Sequence, residues 1–525
     1  MTNSNIEDDF MKKLAENYRL QFGVIVIFAI FYGVRSSYNT IGRMASSHSY
    51  IGWISILTIL IGTILLIGVT YLTLKKDKKI EQIYPMVGMA LGIIYMLVIP
   101  IYITPDETYH FCGAYNVSNE LLGIDRPEDA GKIYMRKCDS EKVNTSLKGG
   151  AYADFGKTFH QKVDTKLVES HDFANGDTSA GSYLIPALGI TLGRLLHLNF
   201  PALTMLGTLF NLAWFILWMT YALKKIPIGK RILFTILVLP MTLQQASSFS
   251  RDNPLMYSVT LIVCLTLHWK YDEEKIKWSE VLIYLYASYV VVTVKSSLYA
   301  YMVLFSIFIL INKQWFIGKY KQVTRGMIVA ILLLGFIFAF PMHGGSRVIT
   351  LLTTEFYQVS TGEYGHSAWY YVTHIGELMQ TIINTFIKYG EDYVLQLTGN
   401  GLGWLEVPNS VKIRVAYIVM TLVALIRTQK EKVCLTVQTR VFNVLFGVGG
   451  ILLCLSAMLL LWTPTSQLYI EGIQGRYFLP LLLPIFIGLG YWRRPVIPLD
   501  LDRYYPIMLS ITGYVVAIGV IRYCI

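Results

Sequence analysis

YPMVGMALGIIYMLVIPIYITPDETYHF, residues 84–111, is an apolar run that ends abruptly in two carboxylates and an imidazole. At about 1.5 Å per residue, the stretch 84–104 is long enough to cross a hydrocarbon core of roughly 30 Å. Asp106, Glu107 and His110 therefore stand where an apolar wall meets water. Outward from this run the chain repeats the theme. Hydrophobic residues make up 54% of its 525 positions and charged residues only 15%, with a mean hydropathy of +0.48. That composition excludes a soluble enzyme and describes an all-α polytopic membrane protein.

Apolar spans fall near 21–38, 51–74, 84–103, 201–223, 232–247, 254–269, 280–294 and 297–312. Five more lie near 326–342, 411–426, 441–462, 478–492 and 505–522, which makes thirteen crossings. The net charge of +11 comes from short loops between spans. With a cytoplasmic N-terminus, one assignment puts inside the loops of Lys75 to Lys79, Lys224 to Arg231, Lys270 to Lys277, Lys313 to Arg325, Arg427 to Lys432, and Arg493 to Arg503. That pattern is the positive-inside rule, and it removes nucleic acid as the reason for the basic balance. It also predicts an extracytoplasmic C-terminus. No small-residue cleavage site follows the first apolar run, so no removable signal peptide is expected.

The same assignment leaves two long segments outside, 105–200 and 343–410. Loops of this length with aromatics and glycines are expected to be folded and functional. Within the first, SYLIPALGITLGRLLHLN (182–199) reads as an amphipathic or re-entrant helix at the interface, because a full crossing there would invert every later loop. Of six cysteines, Cys112 and Cys138 are external and suit a bridge in an oxidising compartment.

On a helix starting at Asp106, Glu107 and His110 share a face at i, i+3, while Asp106 caps the helix. Two readings stay open: a base with its orienting neighbours, or a cap beside a solvated glutamate. Other polar groups recur at outer span ends, in SSFSRD (Arg251 and Asp252), at Lys295, and in QGRY (Gln474, Arg476 and Tyr477). Lys295 interrupts a long apolar run, which is costly unless the ammonium meets water or an anion. Arg476 is a cation on the face where topology predicts few. Arg251 and Asp252 are adjacent and able to neutralise one another. A competing reading makes the carboxylates metal ligands: Glu107-x-x-His110 recurs as Glu363-x-x-His366, the spacing that binuclear carboxylate sites use.

PDETYHF after a span, YLIPALGITLGRLLHLN, SFSRD, LGWLEVP (402–408) and IQGRYFLPLLLP (473–484), in that order, resemble a family of bacterial polytopic proteins of unknown function grouped with the GT-C glycosyltransferases. The resemblance runs from about residue 84 to the end and makes 1–83 an N-terminal addition of two extra spans. Thr208 stands where that family leads one to expect an arginine, and Thr108-Tyr109 where Pro-Ala is more usual. The resemblance implies a GT-C-like fold in the bacterial plasma membrane. It further implies a transferase that moves a sugar from a polyprenyl-phosphate-linked donor to a surface glycan or teichoic-type polymer at the outer face, with inversion. Asp106 is then the general base assisted by Glu107, and Arg476 and Lys295 meet the donor phosphate. His110, Arg251, Asp252, Gln474 and Tyr477 line the substrate site. A divalent cation, Mg or Mn, is left open, with Glu107 and His110 as its ligands or as positioning groups. A lipid-linked-glycan flippase and a surface-glycan polymerase or ligase are the rival functions; the flippase predicts charges at the midplane and related halves, and neither is evident.

Overall fold

The computed structural model describes residues 18–42, 49–129, 131–140, 147, 150–170, 180–272, 276–295, 298–311, 356–359, 362–428, 431, 433, 435–491, 496–497 and 501–523. The expected span at 326–342, the basic loop 313–325, residues 343–355 of the second long segment, and Lys275, Lys430, Lys432, Arg493 and Arg494 lie outside them. Of the described residues, 75% are helical.

Three long helices open the fold, α1 (Tyr18–Ile41), α2 (Ser49–Thr70) and α3 (Ile80–Val98). The first long segment holds α4 (Glu107–Leu121), α5 (Ala151–Thr158) and α6 (Ala180–Leu195), with a small antiparallel pair of β1 (Tyr134–Arg136) and β2 (Leu167–Glu169). The bundle continues through α7 (Phe200–Lys225), α8 (Lys230–Leu237), α9 (Pro240–Ala246), α10 (Asp252–Tyr271) and α11 (Trp278–Thr293), then a 3₁₀ stretch, Ala300–Ile311. The hairpin β3 (Phe356–Gln358) and β4 (Tyr364–His366) leads into α12 (Ala368–Thr373) and α13 (Ile375–Leu397). The chain closes with α14 (Val411–Leu425), α15 (Val437–Leu461), α16 (Leu482–Leu489) and α17 (Leu501–Tyr523).

Among the described residues, six helices are long and apolar enough to cross a membrane: 19–41, 50–75, 80–98, 200–225, 437–461 and 503–523. Several other expected spans are interrupted. The span expected at 232–247 is two short helices, because Pro240 has no amide to donate and starts a new helix at its own position. The span at 478–492 begins as a 3₁₀ turn, Gly475–Leu481, before α16, with Pro480 inside the turn and Pro484 in the helix. The amphipathic stretch 182–199 is largely helical as α6, with Leu184, Leu188, Leu192 and Leu195 exposed along it and Tyr183, Ala187 and Ile190 buried.

One end of the bundle gathers the basic connections. Lys230 pairs with Glu81 at 2.9 Å, Arg231 with Glu431 at 2.9 Å and Lys225 with Glu280 at 2.6 Å, and Arg503 donates to the Leu74 carbonyl at 3.1 Å. The other end gathers the motifs. Helix α3 runs from Ile80 toward Tyr102, α11 from Trp278 toward Lys295, and α10 from Asp252 back to His268 and Lys270. Each thus has a motif residue at one end and a basic connection at the other, and the described basic connections near residues 74–81, 225–231, 280, 431 and 503 are together in space.

Close backbone crossings hold the motif end. A Cβ added at Gly189 of α6 falls 2.7 Å from the Cα of Gly207 and 2.7 Å from the Leu206 carbonyl oxygen, so α6 and α7 meet main chain to main chain. Backbone cannot yield as a flexible side chain does. Gly189→Ala is expected to cost about 1–3 kcal/mol, read as a lowered thermal midpoint in detergent. Gly449→Ala, whose added Cβ meets nothing within 4 Å, should leave that midpoint unchanged or slightly raised.

Candidate functional site

The site is assembled from four separate stretches of chain. The turn 102–106 follows α3, the turn 247–252 precedes α10, Lys295 follows α11, and Gln474 to Tyr477 open the 3₁₀ turn before α16. Arg476 joins them. Its Nη2 donates to Asp106 Oδ2 at 2.8 Å and its Nη1 to the Pro105 carbonyl at 3.1 Å. Its Nε lies 3.4 Å from Asp252 Oδ2 without hydrogen-bond alignment, a Coulombic contact. The other oxygen of Asp252 pairs with Lys295, whose Nζ also sits 4.3 Å from the centre of the Tyr477 ring. The side chain of Arg476 is 4% exposed and that of Asp252 8%, whereas that of Asp106 is 58% exposed. Buried cations are thus paired, and one carboxylate faces solvent.

Asp106 stands at the N-cap position of α4, yet its side chain makes no capping bond; it reaches Arg476 instead. Its φ of 63° is left-handed, as are those of Tyr102 (73°) and Lys295 (51°). For residues other than glycine this costs on the order of 1 kcal/mol or more each, and such strain concentrates where surrounding contacts over-determine a site.

Glu107, expected to work beside Asp106, turns inward and is 2% exposed. Oε2 accepts from the amides of Tyr102 (2.9 Å) and Thr104 (3.2 Å), and Oε1 from the amide of Phe249 (3.1 Å). It therefore clamps the turn after α3 to the turn before α10. Burial pushes its carboxyl up to about 7, against the opposing pull of the Phe249, Thr104 and Tyr102 amides. His110 also turns inward, its Nδ1 2.9 Å from the Tyr183 hydroxyl of α6. Burial, then the charge of Arg251, holds its imidazole well below the usual range, which favours its neutral form. Arg251 thus stands close enough to His110 to act on it electrostatically.

The Glu107–His110 pair does not fit a cation. The glutamate oxygens point at three amide donors, and the second pair expected with it, Glu363 and His366, has its histidine on strand β4 rather than a helix. Among the described residues no three His, Cys, Asp or Glu side chains are grouped to hold a metal ion. Cys112 and Cys138, which suit a bridge by their external placement, are both buried and are not joined by a disulfide.

Several partners escaped the sequence. Tyr183 lies inside a quoted motif but carried no signal of its own. Gln396 of α13 accepts from the Gly475 amide at 2.6 Å, and a Cβ on Gly475 would fall 2.4 Å from the Tyr393 carbonyl oxygen, so glycine alone fits the QGRY turn against α13. Gln244 exchanges two hydrogen bonds with Gly403 of LGWLEVP, and Glu406 of the same motif accepts from the Leu147 amide at 2.7 Å. Gln474 packs beside Arg476 with its Oε1 buried and unpartnered.

Two cavities adjoin the cluster. One, a small recess of about 10 Å³, is lined by Met96, Ile101, Glu107, Thr204, Thr208 and Ser247, so the residue that stands in place of the expected arginine is a neutral neighbour of the clamp. The other, a cleft of about 100 Å³ between α6, α7, α10 and α11, is lined by Ser182, Leu184, Asn211, Pro254, Tyr257 and Tyr286. It adjoins Tyr183 and Asp252 along the chain.

Residues 89–485 match the model of a family described as a predicted membrane protein, DUF2142. The match begins within α3 and leaves α1 and α2 outside it. No curated protein and no solved structure matches the chain.

The Glu107 clamp yields a pH prediction. A carboxyl raised from 4.5 to about 7 binds its proton more tightly in the folded chain. Its contribution to stability is therefore fully present below about 4.5 and is lost as pH rises through about 7. A carboxyl infrared band titrating near neutrality is expected in the parent and absent in Glu107→Gln. In that variant an amide group replaces one acceptor, so exchange at the Tyr102, Thr104 or Phe249 amides should quicken about tenfold, the equivalent of one hydrogen bond.

Proposed function

The chain belongs to the DUF2142 family of predicted membrane proteins, and from that premise we propose that it is a GT-C-like glycosyltransferase. It takes a sugar from a polyprenyl-phosphate-linked donor and places it on a surface glycan or teichoic-type polymer. The observation that carries this is the Asp106–Arg476–Asp252–Lys295 chain of ion pairs, which brings a solvent-facing carboxylate beside two cations at one end of a membrane bundle.

The donor's phosphate meets Arg476 and Lys295, with Arg251 nearby, and its apolar tail suits the cleft between α6, α7, α10 and α11. When phosphate draws the guanidinium away from Asp106, the freed carboxylate accepts the proton of an acceptor hydroxyl. The hydroxyl oxygen forms the new bond to the anomeric carbon as the carbon–oxygen bond to phosphate breaks. The electron pair leaves with polyprenyl phosphate, where the cations stabilise it. Attack opposite the leaving group inverts the anomeric centre. Glu107 and His110 position the Asp106 turn through the Phe249 amide and Tyr183. No sequence feature marks a nucleotide phosphate loop, in keeping with a lipid-borne donor.

This function places the motif end outside the cytoplasm of a bacterial cell. Clustering of the basic connections at the opposite end supports that orientation. Thirteen crossings then put the N-terminus inside and the C-terminus outside, which reporter fusions at both termini test.

Purified protein in detergent should release free polyprenyl phosphate from a lipid-linked monosaccharide in the presence of acceptor. Asp106→Asn should reduce transfer by about 10²- to 10⁴-fold with donor binding retained. Arg476→Ala should weaken donor binding and lower turnover together, about 30-fold to 1,000-fold in transfer efficiency, and Arg476→Lys should recover only part, since it keeps charge but loses the fork. Movement of the lipid across vesicles without release would replace the transferase by a flippase.

A further inference from the structure

Helix α13 presents three faces. At 3.6 residues per turn, Ile375, Met379, Ile383, Phe386, Ile387 and Val394 fall within an arc of roughly 120°, and they are 43–80% exposed. Exposed polar residues Gln380, Lys388, Glu391 and Asp392 fall on the next arc. The third face is held by the protein: Thr385 accepts from the Ile470 amide at 2.8 Å and Gln396 holds Gly475, while Tyr393, in line with Ile375 at the edge of the apolar arc, is buried. A helix with one protein-bound, one wet and one bare apolar face has the form of an element lying along an interface.

The neighbouring surface says what covers the bare face. Helix α15 is one of the six helices long and apolar enough to cross a membrane, and its outward stripe, Val437, Val441, Leu445, Val448 and Leu452, is 37–71% exposed. At the end of α15, Trp462 is 40% and Leu468 74% exposed, and the Leu468 carbonyl accepts from Asn384 of α13 at 3.0 Å. The Thr465 amide donates to Tyr364, whose ring is also exposed. The chain leaving α15 past exposed Trp462 and Leu468 thus binds α13 at Asn384 and Thr385, beside the apolar stripe rather than on it, and holds the helix at the level where α15 ends.

We propose that α13 lies in the membrane surface, its Ile375–Val394 stripe among acyl chains just below the headgroups and its Lys388–Glu391 face in water. Lipid is the occupant, and because the C-terminal turn of the same helix holds Gly475, the bilayer surface fixes the height of the Arg476 turn. This inference rests on membrane insertion alone and is independent of the transferase activity.

The test uses the full chain in liposomes, with its six native cysteines replaced by alanine. Nitroxides are attached at Met379→Cys, Ile383→Cys and Ile387→Cys on the stripe, and at Gln380→Cys, Lys388→Cys and Glu391→Cys on the wet face. Collision with oxygen relative to a water-soluble nickel chelate should be several-fold higher for the first set. Equal ratios overturn the proposal, and so does a stripe that neither reagent reaches, which would mean a protein partner covers it. Because labelling can disturb packing, the unaltered chain is also irradiated in liposomes containing a phospholipid with a photoreactive acyl chain. Adducts should map to the peptide spanning 375–394; their absence there, with adducts on α15, overturns the proposal.

Discussion

Arg476 holds together what the membrane bundle would otherwise leave apart. A guanidinium that is 4% exposed is costly to bury alone, and it is tolerated here because the Pro105 carbonyl, Asp106 and Asp252 surround it. Those partners come from stretches far apart in sequence, so seating the arginine requires the ends of α3, α10 and α16 to arrive together. Removing it would strand Asp252 with only Lys295 and release the left-handed turn at Asp106. The same contacts that satisfy a buried charge also define the site.

Glu107 and His110 extend this logic inward. Both were candidates for chemistry, and both turn inward, one across three amides and the other against Tyr183. The division follows from depth. Asp106 faces solvent at the lip, whereas one residue later the chain has entered α4 and points into the core, where a carboxylate persists only if amides converge on it. Thr208, lining the cavity beside Glu107, adds no compensating charge, in keeping with the raised carboxyl.

The class of fold was legible in the sequence because apolar runs and basic loops are physical requirements of a bilayer. The helix interruptions were partly legible, since Pro240 stood within a run taken as continuous. The candidate site was legible as a cluster of charges, because charged residues at the ends of apolar runs are costly, and Asp106, Asp252, Lys295 and Arg476 do converge. Partners such as Tyr183, Gln396 and the Phe249 amide were not, because a tyrosine, a glutamine or a backbone group gives no local sign of the bond it will make. The supposed metal pair failed for a related reason: a four-residue spacing says which face of a helix two side chains share, but not whether His366 is on a helix.

Asp252 is shared between Lys295 and Arg476, so the cations never wait bare for a ligand. An anion entering this cluster does so by exchange, taking over interactions that an internal carboxylate already makes. The free energy of its capture is then a difference between two similar attractions rather than the whole of one. Such a site would grip an anion loosely for its charge and would also let it go: as the anion departed, Asp252 would reclaim both cations, and release would need no separate step to neutralise them.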